Sequence, residues 1–452
     1  MLSTFVFPLL ASTALALKLS PILDLDNPLV ERRAIGDIQL QDVESFLWAA
    51  PSGNDLIYAN FTVYYPENTE HVLATERFAK KLKSVNCGAN KDLTLEFNDQ
   101  SALDEAKNSW NWVNRNPNNT FVLVTNHKSC SPDEERVPYV IHDIKYDGSV
   151  AHLTAELKEW EEVAHSYTLH VGHVPLNNNH RMLMERADFA MNLATSYNKN
   201  LFSKTIGAWS TTVDLNLATY GKLNVDFNID VSLLKIKSAS VSIQPAGVGA
   251  SAELAVGLSG QLTSAFTWQN TIISIPVQGI EIAKIVKLGA FLDVEASFTV
   301  SAITGTANAK IGAKADIPDS SLVRVDLVKS SNNAVQGWNP SFSATPFSLT
   351  AKVEGSAEAY VKPNVKLEAS VLSKGWNVAL GIKTPYIKAN FAAIFNNAGV
   401  CGTTQPFGVD VSTKAGIVAT VQAANKGSEA SPFWTKELYS KEWDLFTKCL
   451  AF

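Results

Sequence analysis

The sequence predicts a mainly β protein: an N-terminal α+β or β-sandwich-like domain with one or two short helices, then a larger antiparallel β sandwich or barrel. Three observations predict it. Apolar and polar residues alternate with period two through most of the chain after about position 205. Short runs rich in β-branched and aromatic residues, punctuated by Asn, Asp, Gly and Pro, fill much of what precedes. Residue usage then changes near position 180, since all eight histidines lie between His71 and His180. With 452 residues, 46% hydrophobic and 18% charged, the chain can bury more than one core. The reading divides it into 1–16, 17–33, 34–175, 176–204 and 205–452.

Residues 1–16 read as a signal peptide. An uncharged apolar run from Phe5 to Leu15 ends in Ala14-Leu15-Ala16, where small residues suit a signal peptidase, so cleavage is expected after Ala16. Residues 17–33 are a candidate propeptide ending in Glu31-Arg32-Arg33, a dibasic site whose cleavage would leave Ala34 first; a solvated dibasic loop is the other reading. No later stretch approaches the ~18 uncharged apolar residues of a spanning helix, so no transmembrane segment is expected. The closing KELYSKEWDLFTKCLAF is charged where a lipid-anchor signal needs a hydrophobic tail. The expected location is therefore secreted, extracellular.

Four cysteines, Cys87, Cys130, Cys401 and Cys449, suit an oxidising compartment. The wide gap between the first and second pair favours one bridge in each part, Cys87–Cys130 and Cys401–Cys449, each stabilising by about 4 kcal/mol through loop closure. Metal-binding thiols would need CxxC-type spacing, which is absent. Asn60-Phe61-Thr62 and Asn118-Asn119-Thr120 are glycan acceptors, whereas Pro340 disqualifies Asn339.

In residues 34–175, DLIYANFTVYYP, KLKSVNC, LTLEF, TFVLVTN and YVIHDIKY read as strands. Between them NDQSALDEAKNSW offers a helix with Ser101 as N-cap, Asp104 three residues on, and Leu103, Ala106 and Trp110 on its buried face. LKEWEEVA reads as a second short helix with Trp160 and Val163 inward. Residues 176–204 read as a helical linker, because Leu183, Ala187, Ala190, Met191 and Ala194 fit one stripe; packing accounts for Met182, Met184 and Met191 better than a copper site does.

The second part alternates throughout. In GKLNVDFNIDV, Leu223, Val225, Phe227, Ile229 and Val231 face one way and Asn224, Asp226, Asn228 and Asp230 the other. Even positions from Ala250 to Trp268 are apolar except Gly260 and Ser264, enough for ~60 Å of strand unless bulges or turns at Gly257 or Gly260 interrupt it. In the next run the apolar parity switches near Ile303-Thr304-Gly305, which demands a bulge or a hairpin turn.

No residue set rises to a catalytic signature. GxSxG, HExxH, GxxxxGK[ST] and CxxC are absent. Gly247-Val248-Gly249 imitates a dinucleotide fingerprint, but Pro245 precedes it and strand-like residues follow. His165, His170, His173 and His180 form the most site-like cluster; in an extended strand His170 and His173 point to opposite faces, which opposes shared metal ligation. Cys130-Ser131-Pro132-Asp133-Glu134-Glu135-Arg136 offers carboxylates for acid/base or calcium chemistry, against the plainer reading of a charged turn with Arg136 pairing locally. Asp293 and Glu295 share a strand face, as any wet face supplies. Trp209, Trp338, Trp376 or Trp434, if exposed, would stack on sugar rings. No catalytic, cofactor or metal residues are assigned. A formal net charge of -6 disfavours nucleic acid and acidic lipid.

These segments resemble a fungal secreted two-domain protein built from domains of unknown function. EHVLATERFAKKLKSVNC, FVLVTNHKSCSPDEERVPYVI and KEWEEVAHSYTLHVG carry the likeness in the first part, IPVQGIEIAKIVKLGAFLDVEAS and KELYSKEWDLFTKC in the second. The resemblance implies a fungal extracellular or cell-wall protein and structural roles for Cys130 and Cys449; it conveys no catalytic residues. The expected function is a non-catalytic extracellular binding or structural protein, with cell-wall glycan as partner. The alternatives are a secreted carbohydrate-active or oxidative enzyme with scattered residues, which would need a deep pocket, and a membrane-active or lipid-binding β protein.

Overall fold

The structure, a computed structural model, describes residues 17–22, 37–52, 55–67, 69–88, 92–175, 189–282, 284–344, 348–372 and 374–452. The signal segment, Arg32-Arg33, His180, Met182 and Met184 lie outside the described residues.

Sustained alternation becomes strands of unusual length. Trp209–Ser232, Lys235–Leu262, Ser348–Val371 and Lys374–Phe395 run 24, 28, 24 and 22 residues. At ~3.3 Å per residue the longest approaches ~90 Å. They form two facing antiparallel sheets. In the front sheet the order is Phe266–Ile282, Val286–Val300, Ser348–Val371, Lys374–Phe395, Phe407–Asn425 and Trp434–Ala451. The back sheet runs Val43–Ser52, Asp55–Tyr64, Tyr167–Pro175, Trp209–Ser232 and Lys235–Leu262, then Ile303–Asp316 with Leu322–Asp326.

The sheets join at one corner. Val286–Val300 leads directly into Ile303–Asp316, and Ser348–Val371 accompanies both, pairing Ala357 with Val300 in front and Glu354 with Thr304 behind. Ser301 N–H donates to Ser356 O at 2.9 Å, and Gly355 has φ +139 with any Cβ only 2.9 Å from the Ala302 carbonyl oxygen. The parity switch near Ile303 is thus a bulged corner where strands change sheet, and a hairpin is excluded. A second parity change lies inside Lys235–Leu262. Ala239, Val241 and Ile243 are buried before it and Val248, Ala252 and Leu254 after it. Between them the register slips opposite Gly221, and Gly247 takes φ +62. The imitation nucleotide fingerprint is therefore a strand bulge. The chain crosses Gly257 and Gly260 without ending, and turns only after Leu262.

The space between the sheets is filled. Phe227, Ile243, Leu292, Leu367 and Val421 belong to one end of the core; Leu215, Leu254, Phe298, Phe391 and Val411 belong to the other. Two apolar cavities of about 50 and 40 Å³ lie within it.

A third sheet of six strands has the order Glu70–Ala74, Thr120–Thr125, Val137–Asp147, Val150–Leu157, Asp92–Phe97 and Leu82–Cys87. Its Val72, Ala74, Val122 and Val124 pack into the main core, while Leu73, Phe121 and Leu123 pack under the helix Gln100–Trp110. Burial on both faces is why TFVLVT reads as a continuous apolar run. The helix buries Ala102, Leu103, Ala106 and Trp110 as its spacing predicts, but its N-cap is Asp99, which accepts from the Ala102 N–H at 2.8 Å. Ser101 lies inside the helix. The second helix, Trp160–Val163, turns both named residues inward and is closed by a Glu159–Glu162 capping box.

The helical expectation for 176–204 is corrected where that segment is described. Phe189–Asn192 and Thr195–Ile206 are strands running along Trp209–Ser232. Hydrogen bonding to the long strand Trp209–Ser232 outweighs the helix propensity of Ala190, Met191 and Ala194.

Both disulfides are present. Cys87–Cys130 ties the last strand of the third sheet to the turn after Thr120–Thr125, and Cys401–Cys449 ties the turn after Phe395 to the final strand. Among the described residues no helix is long and apolar enough to cross a membrane.

Candidate functional site

The most heavily built polar position is Arg136, at the start of Val137–Asp147. A compact turn delivers it: the Cys130 and Ser131 N–H groups donate to His127 O at 2.8 and 2.9 Å, and the Glu135 N–H donates to Ser131 Oγ at 3.1 Å. Its guanidinium is 1% exposed. It donates from Nε and Nη2 to both Glu76 carboxylate oxygens at 2.7 and 2.9 Å, from Nη1 to Leu47 O at 2.6 Å, and from Nη2 to Ile22 O at 3.2 Å. The ring of Trp48 lies 4.6 Å away. A planar fork meeting a carboxylate bidentately over an aromatic face is arrangement only Arg supplies.

This corrects the local pairing expected of Arg136. The carboxylates of its own turn go elsewhere, Glu134 to Lys128 at 2.8 Å and Glu135 to Lys18 at 3.0 Å. Among the described residues no three His, Cys, Asp or Glu side chains converge as metal ligands. A second network, Arg77 donating to Glu44 and Asp37 at 3.1 Å each, also joins segments far apart in sequence.

The histidine cluster separates. His165 offers its carbonyl to the Leu234 N–H, and His173 is paired through its backbone to Ile57. His170 enters a polar array. Its Nδ1 lies 3.3 Å from the Tyr58 hydroxyl and its Nε2 3.0 Å from Asp226 Oδ2, while the Asn228 amide donates to the other Asp226 oxygen. A carboxylate orienting an imidazole toward a hydroxyl is the geometry of a general base. Here the hydroxyl is that of buried Tyr58, on the outer face of the back sheet, and none of the cavities above includes it.

The remaining candidates are absorbed by structure. Asp293 accepts from Ser274 at 2.6 Å and pairs with Lys366 at 2.5 Å, and Glu295 accepts from the Tyr360 hydroxyl at 2.8 Å. Trp209, Trp338 and Trp376 are buried, and Trp434 packs half-buried on the main core. Asn60 sits mid-strand and half-buried, paired between Leu47 and His170; Asn118 is exposed on a turn. The exposed aromatic pair is one that the sequence reading missed. Phe395 and Phe407 face each other across the turn that carries Cys401, 61% and 53% exposed, with ring centroids 4.9 Å apart. Phe452 lies beside them, its N–H donating to Phe407 O.

Comparison with known proteins agrees with this division of the chain. The family described as Domain of unknown function (DUF7029) matches residues 65–168, which is the third sheet with its helices and little else. No curated protein and no solved structure matches the chain. The strands Val43–Ser52 and Asp55–Tyr64 precede that match and pair instead into the back sheet. Most of the sandwich, residues 191–451 and more than half of the chain, matches the family described as Domain of unknown function (DUF7223), and to that family the protein belongs.

Proposed function

We propose that the protein is exported, oxidises its four cysteines on the way out, and acts outside the cell as a non-catalytic binding or structural protein of a fungal cell wall. The observation that carries this reading is the filled space between the two long sheets: among the described residues the apolar cavities there, of about 50 and 40 Å³, are too small for a substrate or a lipid chain, and the larger hollow of about 480 Å³, lined by Thr212, Asp214, Asn308 and Lys310, lies open on the outer face of the back sheet. Ligand pockets run to about 300 Å³ and more. Its outward strand positions, such as Asn224, Asp226, Asn228 and Asp230, are polar, whereas a lipid-spanning barrel needs them apolar. Asn118, exposed on its turn, is the acceptor that carries the glycan.

Phe395 and Phe407 supply the aromatic surface on which a polysaccharide would rest. Pull-down on insoluble chitin and β-glucan tests this. Wild-type protein is expected in the pellet, and Phe395→Ala with Phe407→Ala in the supernatant; failure of the wild type to sediment with any polysaccharide removes the glycan partner.

A further inference from the structure

Leu17–Ile22 bridges the two sheets at their edge strands Phe266–Ile282 and Val43–Ser52. Leu17 and Lys18 add in parallel to the edge of Phe266–Ile282, opposite Ile280 and Glu281. Ser20 and Pro21 add antiparallel to the edge of Val43–Ser52, opposite Ala49 and Trp48. Between them the chain passes from front to back sheet at Leu19, whose side chain is 0% exposed in the main core. The Leu19 N–H donates to Glu281 O at 3.1 Å and the Ile22 N–H to Leu47 O at 2.9 Å. Lys18 pairs with Glu135, and the Ile22 carbonyl accepts from Arg136.

We propose that this seam is a peptide-binding groove and that Leu17–Ile22 is its exchangeable resident ligand, an extended segment with a cation, a buried aliphatic residue and a proline in that order. The recognition is strand addition: main-chain bonds to exposed sheet edges, with Arg136 on the Ile22 carbonyl, hold the segment, and one apolar pocket for Leu19 and the Glu135 carboxylate for Lys18 read its side chains. The receptor half comes wholly from other parts of the chain, the Leu47–Ala49 edge, the Glu135–Arg136 turn and the Ile280–Glu281 edge. The Arg136–Glu76 fork uses no group of the segment, which gives the receptor half an anchor of its own. Neither disulfide reaches the segment, and Glu31-Arg32-Arg33 follows it in sequence. Backbone cleavage there would leave the segment docked as a separate chain.

The test uses the full chain with Glu31–Arg33 replaced by the site of a sequence-specific protease. After cutting, native gel filtration followed by denaturing mass spectrometry is expected to find the N-terminal fragment travelling with the body, and an excess of synthetic 17–33 peptide is expected to displace it. The same peptide carrying Leu19→Asp should displace at least about tenfold less well, since it places a charge in the apolar pocket. A fragment that elutes alone on the first pass overturns the proposal. So does one that no peptide displaces, or an L19D peptide that competes equally.

Discussion

Charged residues in this molecule differ in worth according to what surrounds them. Lys83–Glu96, at 2.6 Å and with Lys83 65% exposed, is a surface pair, and Lys83→Ala should change stability by less than about 1 kcal/mol. Arg136 has no water to fall back on, and its loss strands Glu76 and two carbonyl oxygens. Arg136→Ala should cost ~3–5 kcal/mol in urea unfolding; a change as small as that of the lysine variant would show the fork to be ornamental. Burial also sets the response to alkali. It raises the Tyr65 phenol far above its ordinary 10.0, and those of Tyr146 and Tyr167 to about 12. Raised values favour the neutral folded form, so this stability is intact below pH 10 and drains away as the unfolded chain ionises above it. Phenolate absorbance at these residues should therefore rise together with the loss of β-sheet circular dichroism near about pH 11–12. Independent titration in a folded protein would contradict their burial.

The strands themselves were legible because each hides one face and wets the other, so Leu223 to Val231 announce their direction without knowledge of their neighbours. Where the chain must change face, only glycine and parity give warning. Gly221 sits at φ +89, and an added Cβ would lie 2.3 Å from the Gly247 carbonyl oxygen. Gly221→Ala should therefore cost at least ~2 kcal/mol, against ~1 kcal/mol for Gly148→Ala, whose turn at φ +55 has open space around it. Equal thermal shifts in the two variants would mean that the bulge tolerates a side chain. The misread element, Phe189–Asn192, has a sequence that suits a helix and becomes a strand because a partner stands beside it. The same limit hid the candidate sites: Arg136 meets residues 60 to 114 positions away, and Tyr58 and Asp226 flank His170 from two different hairpins. Spacing along a chain does not encode such meetings.

A 28-residue strand fixes the long dimension of the whole molecule. Solution X-ray scattering should find a maximum dimension near ~90 Å and a radius of gyration well above the ~22 Å of a compact globule of this length. A value at the compact figure would mean that the sandwich folds back on itself. The division between the two family matches also becomes physical at this scale, because 65–168 is an insertion with its own helix-covered sheet, entered and left through strands of the sandwich.

Among the described residues Trp434–Ala451 pairs on one side only, leaving eighteen residues of backbone at the margin of the front sheet. A margin that long is a template on which further copies can add and polymerise. Lys436, Glu437, Lys441, Glu442, Asp444 and Lys448 are spread along it, and two register slips against its neighbour, at Thr413/Lys414 and Ala419/Thr420, break its regularity. At high local concentration that restraint matters, since the same long ribbons that give the molecule reach would otherwise grow into fibres.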